Sequence, residues 1–79
     1  MLEKLQNFLK NVHKFDKEKP LFEQVDLLER KFQHFLKAVK DKDDEKIKRS
    51  MKELLIEMIL YANTQDISVA DLLQKGFNL

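Results

Sequence analysis

Apolar residues recur every three or four positions along almost the whole chain. In the first segment Leu2, Leu5, Phe8, Leu9 and Val12 keep that step, while Glu3, Lys4, Asn7, Lys10 and Asn11 fill the other side. This predicts an amphipathic helix over about 2–14. A charged linker, Asp16-Lys17-Glu18-Lys19, leads to Pro20, which suits the first turn of a helix, where its missing N–H costs nothing. From there Leu21, Val25, Leu28, Phe32, Phe35 and Val39 are spaced four, three, four, three and four, with Leu27 and Leu36 widening the stripe. That is coiled-coil-like packing over a second helix of about 20–40.

The polar stretch KDKDDEK, residues 40–46, reads as a connector. Asp43 or Asp44 can cap a third helix over about 44–62 and suits its positive N-terminal end. That helix carries Ile47, Met51, Leu54, Met58 and Tyr61, with a second row of Leu55, Ile59 and Ala62 beside it and Ile56 and Leu60 further round. A helix apolar almost all round must be covered on more than one side. The expectation is a dimer centred on this helix, with Leu55, Ile56, Met58, Ile59 and Leu60 in the interface. Asn63-Thr64-Gln65-Asp66 breaks the pattern. Ser68 followed by Asp71 then forms an acidic variant of the capping box, with Ile67 and Leu72 at the staple positions. A short fourth helix over about 69–75 would stop at Gly76, and Phe77 and Leu79 could fold back onto the bundle.

The fold class expected is therefore all-α: one domain, 1–79, built as a small bundle of four helices and completed by homodimerisation. Composition narrows this further. One glycine and one proline in 79 residues argue against a β-rich fold with many tight turns. A chain of this size buries only about 60–65% of its unfolded surface and often needs disulfides, a metal or self-association. It has no cysteine, which excludes disulfides and thiolate sites and points to self-association. No apolar run is long enough to span a bilayer, and the N-terminal segment lacks the unbroken apolar stretch of a secretory signal. The expected location is the cytoplasm, away from the membrane. A net charge of +1 supplies no field to draw in nucleic acid.

Few residues offer chemistry. Ser50 and Ser68 are the only serines, and His13 and His34 fall on separate helices without a triad context. With Gly76 the only glycine, there is no phosphate-binding loop. Lys37, Lys40, Lys48, Arg49 and Lys52 could gather at one end of the bundle, but Asp41, Asp43, Asp44 and Glu45 cancel much of that field. The carboxylates remain: Glu23, Asp26 and Glu29 on the second helix, and Glu53 and Glu57, one turn apart, on the third. Facing helices can present such groups to Mg²⁺. Acids three apart diverge around a helix, however, and these flank Val25, Leu28 and Phe32 as the polar border of a core stripe.

Two segments, KELLIEMILYA at 52–62 and DISVADLLQKGF at 66–77, carry a resemblance. Over about residues 20–76 the chain resembles the MazG-like all-α nucleotide pyrophosphohydrolases. Those are helical-bundle dimers that use Mg²⁺ to strip pyrophosphate from nucleoside triphosphates, through two acidic pairs on successive helices. The resemblance places Glu53 on the first glutamate of the run Glu-Glu-Leu-x-Asp-Val-Leu-x-Tyr, Glu57 on its aspartate and Tyr61 on its tyrosine. The second glutamate falls on Leu54. With Ala38 as the family's alanine, the other acidic pair falls on Lys31 and His34, an ammonium and an imidazole where the family presents carboxylates. The expectation is a degenerate member: a non-catalytic protein-interaction or regulatory module, homodimeric, without a cofactor. It would meet its partner through the Leu27/Leu36 edge, the Phe22 region or the Phe77–Leu79 tail. The alternative is a minimal Mg²⁺-dependent pyrophosphohydrolase using Asp26, Glu29, Glu53 and Glu57, with Arg30 or Lys31 on the phosphates.

Overall fold

The computed structural model describes residues 1–14 and 19–75; the expected linker at 16–18, the stop at Gly76 and the Phe77–Leu79 tail lie outside them. Four helices follow in order: α1 (Leu2–Val12), α2 (Leu21–Asp41), α3 (Asp44–Thr64) and α4 (Val69–Lys75). No strand occurs among the described residues. Over the described residues the chain is all-α, with four helices, as its periodicity implies.

The helix ends show why. Pro20 sits at the N-cap of α2, one residue before the helix, and its carbonyl accepts the N–H groups of Glu23 and Gln24 at 3.0 and 3.2 Å. Asp43 caps α3: its Oδ1 accepts the Lys46 N–H at 3.2 Å. Ser68 does the same for α4, where its Oγ accepts the Asp71 N–H at 3.3 Å. Ile67 and Leu72, the expected staple pair, both stay exposed.

The C-terminal ends of α2 and α3 run one and two residues beyond the expected 40 and 62, for a common reason. At the end of α2, Lys42 takes φ 55° and ψ 35°. Its N–H donates to the Val39 carbonyl at 3.1 Å, and the Asp43 N–H donates to Ala38 at 3.4 Å. At the end of α3, Asp66 takes φ 57°. Its N–H donates to Asn63 at 3.4 Å, and the Ile67 N–H donates to Ala62 at 2.9 Å. Both are Schellman motifs, and in both the left-handed position holds a residue with a side chain where glycine is usual.

The residues group into two compact units. One consists of α1, the end of α3 from Ile59, and α4; the other consists of α2 and α3 as far as Met58. In the first, Leu9, Ile59 and Ala62 are buried. The Gln6 carboxamide ties its three helices together. Nε2 donates to Asn63 Oδ1 at 2.9 Å and to the Ile67 carbonyl at 2.6 Å, and Oε1 accepts the Val69 N–H at 2.9 Å. Asn63 Nδ2 returns a bond to the Gln6 carbonyl at 3.3 Å. One side chain thus satisfies the first N–H of α4, a group that has no partner within its own helix.

In the second unit the short connector Lys42–Asp43 turns α3 back antiparallel to α2. Ala38 and Ser50, the buried residues of this unit, lie near that connector. Leu27, Leu28 and Phe35 on α2 and Ile47 and Leu54 on α3 are half-buried. Ser50 is satisfied within its own helix, its Oγ donating to the Lys46 carbonyl at 2.7 Å.

Candidate functional site

The acidic residues single out the α2–α3 hairpin as the place to look for chemistry. Lys31 Nζ lies 3.5 Å from Glu53 Oε2 across the hairpin, the two side chains 28% and 40% exposed. The ammonium therefore meets the carboxylate that the Mg²⁺ reading needs as a ligand. Glu57, one turn further along α3, is half-buried.

Asp26 and Glu29 belong to a different part of α2's surface. Asp26 accepts a hydrogen bond from the Arg30 guanidinium one turn on, and both side chains are well exposed. That hydrogen bond, with the attraction of the carboxylate behind it, raises the Arg30 pKa above its usual value. Glu29 is exposed. Asp26, Glu29, Glu53 and Glu57 do not come together, and no three His, Asp or Glu residues among those described form a group able to hold a metal ion. Mg²⁺ prefers several hard oxygen ligands in octahedral array. An ammonium beside one carboxylate does not fit that requirement, and no step through a metal follows from these residues.

On the same hairpin a shallow cleft of about 280 Å³ is lined by His34, Lys37, Ala38 and Asp41 from α2 and by Lys46, Arg49, Ser50 and Glu53 from α3. It gathers part of the basic stretch between Lys37 and Lys52. Asp41 and Glu53 share the lining, so the charge is mixed, as the interleaved acids imply. The two histidines lie in different units, and Ser50 and Ser68 are committed to backbone hydrogen bonds. His34 and Ser50 both line the cleft, and the Ser50 hydroxyl donates to the Lys46 carbonyl of its own helix.

The residues expected at a dimer interface fall into three kinds. Leu55 and Met58 are 52% and 53% exposed, Ile56 and Leu60 are half-buried, and Ile59 is buried. Of the expected partner surfaces, Phe22 is 72% exposed, whereas Leu27 and Leu36 are half-buried.

Two features escaped the sequence reading. Gln6 was not among the residues singled out, because its partners are distant in the chain. The open apolar residues of α2, namely Val25, Phe32 and Val39, were read as core. The signal was the width of the stripe from Leu27 through Phe35 to Leu36, broader than a single neighbouring helix covers. No helix among the described residues is long and apolar enough to cross a membrane. Comparison with known proteins finds no matching family model, no curated relative and no similar solved structure.

Proposed function

We propose that the chain is a small, non-catalytic α-helical interaction module with a MazG-like fold, acting in the cytoplasm as a homodimer. The ion pair between Lys31 and Glu53 carries the reading. It neutralises Glu53, a carboxylate that meets α2, at a position where the resemblance calls for an acidic pair facing an acidic pair. A hairpin that spends its central polar contact in this way is built to hold two helices in register. Exposed Leu55 and Met58 then supply an apolar surface for association.

The competing reading, a Mg²⁺-dependent nucleoside triphosphate pyrophosphohydrolase, draws on Glu53 and Glu57 standing one turn apart and half-buried. The deciding experiment measures pyrophosphate release from a panel of nucleoside triphosphates, with Mg²⁺ or Mn²⁺, at high protein concentration. The proposal expects none. Turnover that disappears in Glu57→Gln, with the helical content retained, would establish the enzyme instead.

A further inference from the structure

One side of the α2–α3 hairpin is apolar and open. Its geometry follows from two pairs of adjacent residues. On α2, Lys31 faces α3 through its contact with Glu53, and Phe32, the next residue, is turned about 100° from it. Val25 and Val39, seven residues away in either direction, fall within about 20° of Phe32. On α3, buried Ser50 lies where the helices converge near the connector, and Met51 is turned about 100° from it, with Leu55 and Met58 within about 40° of Met51.

Both helices are right-handed and they run antiparallel. Equal rotations from their facing sides therefore bring the two rows to the same side of the hairpin. The cleft gives an independent check. His34, Lys37 and Asp41 on α2 and Lys46 and Arg49 on α3 line it together, and the same rotation places all five on the opposite side. Val25, Phe32, Val39, Met51, Leu55 and Met58 are each 43% to 53% exposed.

We propose that this side receives a second copy of the chain, docked so that α2 of each copy lies along α3 of the other. The inference rests on the homodimer reading above and specifies its geometry. Size is the first argument. The six side chains leave on the order of 600 Å² open, approaching the roughly 800 Å² that each partner brings to a standard interface, with the rim to supply the remainder. Charge is the second, and it selects the pairing. With the two hairpins face to face at the level set by Lys31 and Glu53, Phe32 falls between Met51 and Leu55 of the second copy. Glu29, on the outer flank of α2, comes within about one turn of Lys52 on the outer flank of the second copy's α3. Laying α2 antiparallel along the other α2 instead puts Glu29 level with Gln33 and Lys52 level with Leu54, where the nearest opposite charges, Lys31 and Glu53, are already paired with each other. Opposite charges at such rim positions set partner and register.

The chain has no cysteine, so engineered thiols report cleanly. In the proposed pairing Leu36 comes level with Lys48 of the second copy, while within one chain the two sit on opposite flanks of the hairpin, beyond the reach of a disulfide. Full-length Leu36→Cys/Lys48→Cys, mildly oxidised, should become a covalent dimer whose mapped bond joins residues 36 and 48. Phe32→Cys should remain uncross-linked. A self-linked Phe32→Cys dimer without the 36–48 bond would overturn the pairing and leave the homodimer standing. Unsubstituted protein that sediments as a monomer at every concentration would overturn both, and would assign the apolar side to another protein or to a segment of the same chain.

Discussion

Gln6 and Asn63 hold each other through a reciprocal pair of hydrogen bonds. The Gln6 amide donates to the Asn63 side-chain oxygen at 2.9 Å, and the Asn63 amide donates to the Gln6 backbone carbonyl at 3.3 Å. Gln6 also serves the Ile67 carbonyl and the Val69 N–H, so removing its side chain strands groups on two other segments. Gln6→Ala should lower stability by about 2 kcal/mol, since a typical net hydrogen bond contributes about 1 kcal/mol and some stranded groups regain water. For a chain this short that corresponds to a fall in Tm of roughly 10 °C. Gln6→Glu keeps the acceptor for Val69 but loses both donors, and should recover less than half of the deficit. Thermal unfolding followed by circular dichroism measures both, and a Tm unchanged in Gln6→Ala would remove the clasp from any account of stability.

The two left-handed residues offer the opposite kind of substitution. Lys42 carries a side chain at φ 55°, a region that costs a residue with a Cβ roughly 1–2 kcal/mol. Glycine avoids that cost but loses more freedom on folding, about 0.5–1 kcal/mol. Lys42→Gly should therefore stabilise by about 0.5–1 kcal/mol. Asp66 adopts the same region at φ 57°, but aspartate tolerates it better, and Asp66→Gly should gain less. Urea titrations that ranked the two in the reverse order would mean that a side-chain contact of Lys42 outweighs the backbone term.

Adjacent residues on α3 should respond differently to the same change. Met58 is 53% exposed and Ile59 only 6%. Met58→Asp should leave helical content and Tm close to those of the parent while shifting a dimer toward monomer. Ile59→Asp buries an unpaired charge and should cost roughly 3 kcal/mol or more. Sedimentation velocity and thermal melts on the two variants separate association from folding. If Met58→Asp stayed fully dimeric, the open row on α3 would not lie in the interface.

At the start of α3 the two candidate caps are resolved. Asp43 accepts the Lys46 N–H, whereas Asp44 is the first residue of the helix. Asp43→Ala should destabilise by about 1 kcal/mol, and Asp44→Ala by a few tenths through the helix dipole alone. Equal losses in chemical denaturation would argue that charge, and not the hydrogen bond, sets this end.

These residues also show what a sequence discloses. The starts of α3 and α4 were legible because Asp43 and Ser68 act on N–H groups three residues away, within reach of local inspection. The ends of α2 and α3 were placed short, because the usual mark of a Schellman motif is glycine and the chain places Lys42 and Asp66 there. Periodicity located the α2 stripe correctly. Which part of it meets α3 depends on how Ala38 and Ser50 let the helices approach, and spacing alone does not encode that. The acidic candidates had the same limit: Asp26 and Glu29 are near Glu53 in kind, but Lys31 is the residue that reaches it. Gln6 left no local trace at all, since its partner Asn63 is 57 residues away.

That separation has a consequence for the order of events when the chain folds. The α2–α3 hairpin closes through a two-residue connector, with neighbours already at hand, and local closure of this kind is fast. The Gln6–Asn63 clasp must instead bring together segments separated by most of the chain, after a much larger loop has given up its freedom. The hairpin is thus the natural nucleus and the clasp the closing step. By the same token the clasp is the seam along which its unit first comes apart, and the Val69 amide that it holds should be among the earliest there to exchange with solvent deuterium.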